Sequence, residues 1–146
     1  MRRPPDTLSG DLFDIPVPAS AAYGGLDVGM RLRNLLSDLL KSSPVSRHQI
    51  AARMAELTGH DISKHQLDSW TAESREGWRF PLEYLPALET ALETHAITAW
   101  MAELRGCRVM VGKDALLAEL GRIDQMKADL ARQEKAIKTY LERGKA

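Results

Sequence analysis

Lys64, His65, Gln66 and Ser69 follow Ser63 within about two helical turns, and Arg47, His48 and Gln49 follow Ser46 in the same manner. Such side chains suit nucleic acid. A glutamine carboxamide can pair bidentately with adenine, while Arg, Lys and Ser reach phosphate oxygens. Asp68 is the discordant member, because a carboxylate repels phosphate unless it accepts from a cytosine amino group. Arg75 and Arg79, in the polar connector that follows, are candidates for backbone contact or belong to a solvated face. Other chemistries find less support. His48, His60 and His65 are not joined by cysteine, C-x-x-C or H-E-x-x-H, so neither a metal site nor a cofactor is expected. No G-x-S-x-G, P-loop or dinucleotide fingerprint occurs, and the single Cys107 is a poor nucleophile candidate. No catalytic residue, small-molecule substrate or enzymatic activity is therefore expected.

The elements that must position these residues are written locally. Ser46 with Gln49, and Ser63 with Gln66, each form an S-x-x-Q capping box, so two helices start there. Gln66 thus has two candidate roles, base contact and cap. Thr58-Gly59-His60-Asp61 supplies a glycine suited to a left-handed C-terminus, which ends the first helix. Ile50, Ala51, Met54 and Leu57 recur at helical spacing, as do Leu67 and Trp70, and this leaves Lys64, His65, Asp68 and Ser69 pointing outward. Ala51 is the small residue that lets two such helices cross closely.

Around this pair the pattern predicts an all-α fold. Residues 1–24, rich in Pro, Ala, Gly and Ser, read as a flexible N-terminal arm, either a disordered leader or a segment docking through LFDIPVP. Residues 25–112 read as a compact five-helix helix-turn-helix domain. Its other helices are Leu26 to Lys41, Pro81 to Thr94 with Pro86 breaking it, and Ala96 to Arg105 ending at Gly106. Trp78 and Phe80 are expected to fold back on the core. Residues 113–146 form a long charged helix for oligomerisation. Leu116, Ile123, Leu130 and Ile137 recur every seventh residue, and the complementary seam position reads Leu120, Lys127, Glu134, Leu141. Self-association through that helix is favoured over its lying on its own domain, with the polar seam residues meeting opposite charges.

At 146 residues and 44% hydrophobic, the chain suffices for one domain with appendages, and no apolar run approaches membrane-spanning length. No apolar stretch follows Met1-Arg2-Arg3 as in a secretory signal, and with one cysteine a cytoplasmic location is expected. Net charge is zero, which weakens phosphate attraction per protomer and makes pairing of protomers useful.

SRHQIAARMAELTG, ISKHQLDSWT, and the later FPLEYLPALETAL with AWMAELRGCRVM give the segment from about Leu26 to Met110 its likeness to known proteins. It resembles lambda-repressor-like helix-turn-helix phage regulators, in the style of Mu-like transposable phages. The resemblance implies a phage- or prophage-encoded transcriptional regulator binding double-stranded DNA as a dimer or higher oligomer. On this sequence it implies phosphate contacts from Arg47, His48 and Gln49 and base contacts from Ser63, Lys64, His65, Gln66 and Ser69. One departure is the turn, where Met54 is followed by AELTGHDIS, longer than in the shortest members. The alternative is a protein–protein adaptor binding a transposase or polymerase subunit, favoured by the neutral charge, by Asp68 and by the acidic stretch from Pro81 to Cys107.

Overall fold

The computed structural model describes residues 15–72, 74 and 77–145. Among these, the chain is all-α. Six α-helices and one 3-10 turn are present, with no β-strand beyond an isolated bridge. The chain forms two compact units, one ending at Arg108 and the other beginning at Val109.

In the first unit, α1 (Gly29–Ser42) buries Leu36 and Leu40, with Leu32, Leu35 and Leu39 half-buried beside them. It starts three residues later than the periodicity suggests, because residues 22–27 are held in turns by the Gly25 N–H to the Ala22 carbonyl (2.9 Å) and the Asp27 N–H to the Gly24 carbonyl (3.1 Å). Helices α2 (Arg47–Thr58) and α3 (Lys64–Thr71) both begin with the expected capping box. Gly59 ends α2 at φ 69°, donating its N–H to the Ala55 carbonyl, a backbone conformation that costs a side-chain-bearing residue. Pro86 does divide the next segment. Leu82–Tyr84 is a 3-10 turn, and α4 (Leu85–Leu92) starts with that proline in its first turn, where a missing N–H costs nothing. Helix α5 (Ala96–Leu104) completes the unit.

The core lies where α2 meets α3 and α4 and where α1 meets α3 and α5. Leu36, Ile50, Met54, Leu67, Leu88 and Ile97 are fully enclosed. Trp70 extends this core toward the connector, with Phe80 edge-on at 5.7 Å and Tyr84 at 5.6 Å between ring centroids. Trp78 departs from expectation. Its ring is exposed, and the connector is held instead through its backbone carbonyl, which accepts from the Arg33 guanidinium at 3.2 Å.

Residues 1–14, including Leu12, Phe13 and Asp14 of LFDIPVP, lie outside the described residues. The end of the expected arm is tied down. Pro18 bridges to Arg105, and Ala19 donates its N–H to the Leu104 carbonyl at 2.9 Å. Gly106 makes this possible, since a Cβ there would sit 2.8 Å from the Pro18 ring.

The second unit is α6 (Lys113–Arg143), a 31-residue helix running unbroken through Gly121. No helix among the described residues is long and apolar enough to cross a membrane.

Candidate nucleic-acid interface

The first turn of α3 is built by its cap. The Ser63 Oγ accepts from the Gln66 N–H (3.2 Å), and the Gln66 Oε1 accepts in return from the Ser63 N–H (2.9 Å). Ser46 and Gln49 repeat this at the start of α2, at 3.3 and 3.1 Å. Both boxes satisfy amides that a helix start otherwise leaves open. The cap therefore occupies the Gln66 carbonyl oxygen, leaving its NH2 group outside the box.

Ala51 on α2 is 2% exposed, and α2 packs against both α3 and α4. Ser63 and His65 are exposed, and Lys64 and Gln66 are half-buried, so this turn stands at the surface. His48 and Gln49 are exposed and Arg47 is half-buried at the start of α2. Ser69 is a correction: it is only 2% exposed, flanked by the buried Trp70 and Thr71, and does not share this surface. Arg75 lies outside the described residues; Arg79 is exposed.

Sequence reasoning missed how these charges are arranged. Asp68 receives the Arg47 guanidinium at 2.7 Å and the Lys64 ammonium at 2.6 Å, one on each carboxylate oxygen. Partial burial pushes the Asp68 carboxyl up, but the hydrogen bonds from Lys64 and Arg47, with their charges, together hold it below its ordinary value. The trio carries a net single positive charge, and its carboxylate is neutralised within the protein. The i,i+4 spacing of Lys64 and Asp68 was visible in the sequence, whereas Arg47 arrives only through the crossing of two helices. Beside the trio runs an open groove of about 420 Å3 lined by Ser37, Lys41, Arg47, Asp68, Thr71, Ala72 and Ser74. It brings the exposed Lys41 at the end of α1 next to the start of α2, a cation not included in the sequence-based set.

Glu89 was likewise unforeseen. Buried between α4 and α5, its Oε1 accepts from the N–H groups of Ile97 (2.8 Å) and Thr98 (3.0 Å), and its Oε2 accepts from the Thr98 hydroxyl. This carboxylate caps α5, whose own N-cap residue His95 contributes no side-chain bond. The signal was a helix start lacking a capping side chain.

On α6, Leu116, Leu120, Ile123, Leu130, Ile137 and Leu141 are all exposed. Its charges pair along the helix, Arg122 with Glu119 (2.6 Å), Arg132 with Asp129 (2.8 Å) and Lys138 with Glu134 (2.5 Å). Lys127 is more loosely placed, 3.9 Å from Asp124.

No family model, curated protein or solved structure matches the chain.

Proposed function

We propose that the chain is a sequence-specific DNA-binding transcriptional regulator, of the phage or prophage kind its resemblance implies, working as a dimer or higher oligomer. The first turn of α3 enters the major groove while the start of α2 and Lys41 meet the phosphates. One observation carries this reading: an eight-residue helix closed at its start by a capping box offers Ser63, Lys64, His65 and Gln66 at the surface while Leu67, Ser69, Trp70 and Thr71 anchor it in the core. Rigid presentation of a short polar turn suits base-edge contact, because little side-chain or backbone entropy remains to be lost on docking. Asp68 no longer opposes the reading, since its charge is matched by Arg47 and Lys64.

The experiment is a titration of fluorescent duplexes, random and selected, at several salt concentrations. Affinity that falls steeply with salt, with one selected sequence held more tightly than random DNA, is the expected result. Lys64→Ala weakens all sequences alike, and Gln66→Ala relaxes preference at one base. Absence of binding at low salt sinks the reading.

A second reading, a protein–protein adaptor, draws on the same trio, because Arg47 and Lys64 are engaged by Asp68 before any phosphate arrives. Recovery of a stoichiometric protein partner with no DNA affinity favours it.

A further inference from the structure

From the exposed seam of α6 and its two central charges, we infer that α6 pairs antiparallel with α6 of a second copy of this chain, over its full length and in a single register. The inference rests on the self-association part of the reading above and not on DNA binding. Leu116, Ile123, Leu130 and Ile137 alternate with Leu120, Lys127, Glu134 and Leu141 along one side of a continuous helix, all exposed in the single chain. An apolar stripe of this length needs a cover. The interrupting charges select which one.

In a parallel pair each seam residue faces its own copy. Lys127 meets Lys127 and Glu134 meets Glu134, and the flanking positions bring Glu119 against Asp124 of the second copy. Three layers then oppose like charges, which costs association directly. Reversing one helix takes Glu134 away from Glu134 and Glu119 away from Asp124, and it staggers the two Lys127 residues. Leu116 then faces Leu141 of the second copy, Leu120 faces Ile137, Ile123 faces Glu134 and Lys127 faces Leu130, and each pairing occurs twice by symmetry. Both ends of the pair become purely apolar.

At the centre, Lys127 lies four residues, about 6 Å along the axis, from Glu134 of the second copy, within reach of its flexible stem. The two Lys127 residues are offset by three residues, about 4.5 Å, each with a Glu134 on its outer side. Lys127 has no tight intrachain partner, standing 3.9 Å from Asp124. The flanks are also compatible, Glu119 facing Tyr140 and Asp124 facing Ala131. Shifting by one heptad in either direction leaves apolar seam residues uncovered, so cover of the whole seam selects this register, and the central charges are compatible with it. The two Gly112 junctions leave from opposite ends, on the order of 50 Å apart by helix rise alone.

The test uses the full chain with Cys107→Ser as background. Leu116→Cys and Leu141→Cys chains are prepared separately, then mixed under oxidation and separated on a non-reducing gel. The expected result is a covalent dimer in the mixture and none from Leu116→Cys alone, since those two sulfurs would be about 37 Å apart along the axis. Light scattering gives twice the chain mass for the background protein. Lys127→Glu weakens association by at least about tenfold, because it gathers four carboxylates at the centre, and adding Glu134→Lys restores it. In a parallel pair Lys127→Glu merely exchanges one like-charge layer for another. Self-cross-linking of Leu116→Cys, indifference to Lys127→Glu, or a monomeric mass each overturns the pairing. These substitutions fall on exposed positions outside the first unit, so its helicity and cooperative unfolding serve as the folding control. A DNA titration of the same samples separates the two ideas, since pairing can stand when DNA affinity is nil, and the reverse.

Discussion

Helices α3 and α6 both present polar faces to solvent, yet opposite means hold them. The eight residues of α3 are too few to persist alone, and they are helical because Leu67 and Trp70 are buried and because Ser63 and Gln66 close the first turn. None of the 31 residues of α6 is buried, and the helix starts after Gly112 without a side-chain cap. Its regularity comes from length and from i,i+3 and i,i+4 pairs such as Arg122–Glu119. The shape of α3 is thus set by the unit it belongs to, whereas the packing of α6 is set by whatever covers its seam. Under the proposed function, that division gives a rigid reader and an adhesive rod within one chain.

The largest effect that separates them concerns burial. Leu88→Ala, at a fully enclosed position beneath α2, is expected to destabilise the first unit by about 2–5 kcal/mol in urea denaturation. Leu130→Ala on α6 is expected to leave that transition unchanged and to lower the mass measured in solution toward the monomer. Equal effects of the two on unfolding break the comparison, because α6 then belongs to the same cooperative core.

Next in size is the buried cap of α5. Glu89→Ala strips acceptors from the Ile97 and Thr98 amides inside the protein, at an expected cost of about 1–3 kcal/mol. Glu134→Ala on α6, whose carboxylate is at the surface, is expected to change the unfolding of the first unit by less than about 0.5 kcal/mol. Removal of the α3 cap by Ser63→Ala follows at about 1 kcal/mol, and it sharpens the account of Gln66. If Gln66 acts only through the box, Ser63→Ala and Gln66→Ala lower stability alike and leave relative affinities among sequences untouched. If it also reads a base, only Gln66→Ala alters that ranking.

What could be foreseen in the chain follows the range of the interactions. Both capping boxes, the Gly59 stop and the Pro86 break depend on neighbours within four residues, and each was visible in the residue order. The seam of α6 was equally visible, being a pure repeat. Ser69 was misplaced for a physical reason: in so short a helix the amino-terminal turn is exposed while the carboxy-terminal turn is enclosed on nearly every side. Periodicity around a helix carries no information on such asymmetry along it. Trp78 misled similarly, since an aromatic in a connector suggests a buried ring, and here Arg33 grips its carbonyl instead. Glu89 and the Arg47–Asp68 pair required knowing which helices touch, which sequence spacing alone cannot supply.

The smallest expected effect tests that last pair and concerns pH. The Asp68 carboxyl, raised by partial burial but lowered further by Lys64 and Arg47, ends below its ordinary value in the folded chain. A group depressed on folding stabilises the protein above its unfolded pKa, and that contribution disappears as pH falls through the folded value. The stabilisation is therefore complete near neutrality and is lost below about pH 4. Because Asp68 and both cations are partly solvated, the amount is expected to be only a few tenths of a kcal/mol to about 1 kcal/mol. Asp68→Asn is expected to lower stability at pH 7 by that amount and to leave it unchanged at pH 2–3, as measured by urea midpoints. The same substitution releases Arg47 and Lys64 beside Lys41, so under the DNA reading it raises affinity for all duplexes and steepens the salt dependence by roughly one charge. An affinity gain with no acid-limb change places the trio at the interface but not in the fold's stability. An acid-limb change with no gain leaves Arg47 and Lys64 as parts of the helix crossing, and phosphate contact then falls to Lys41 and His48.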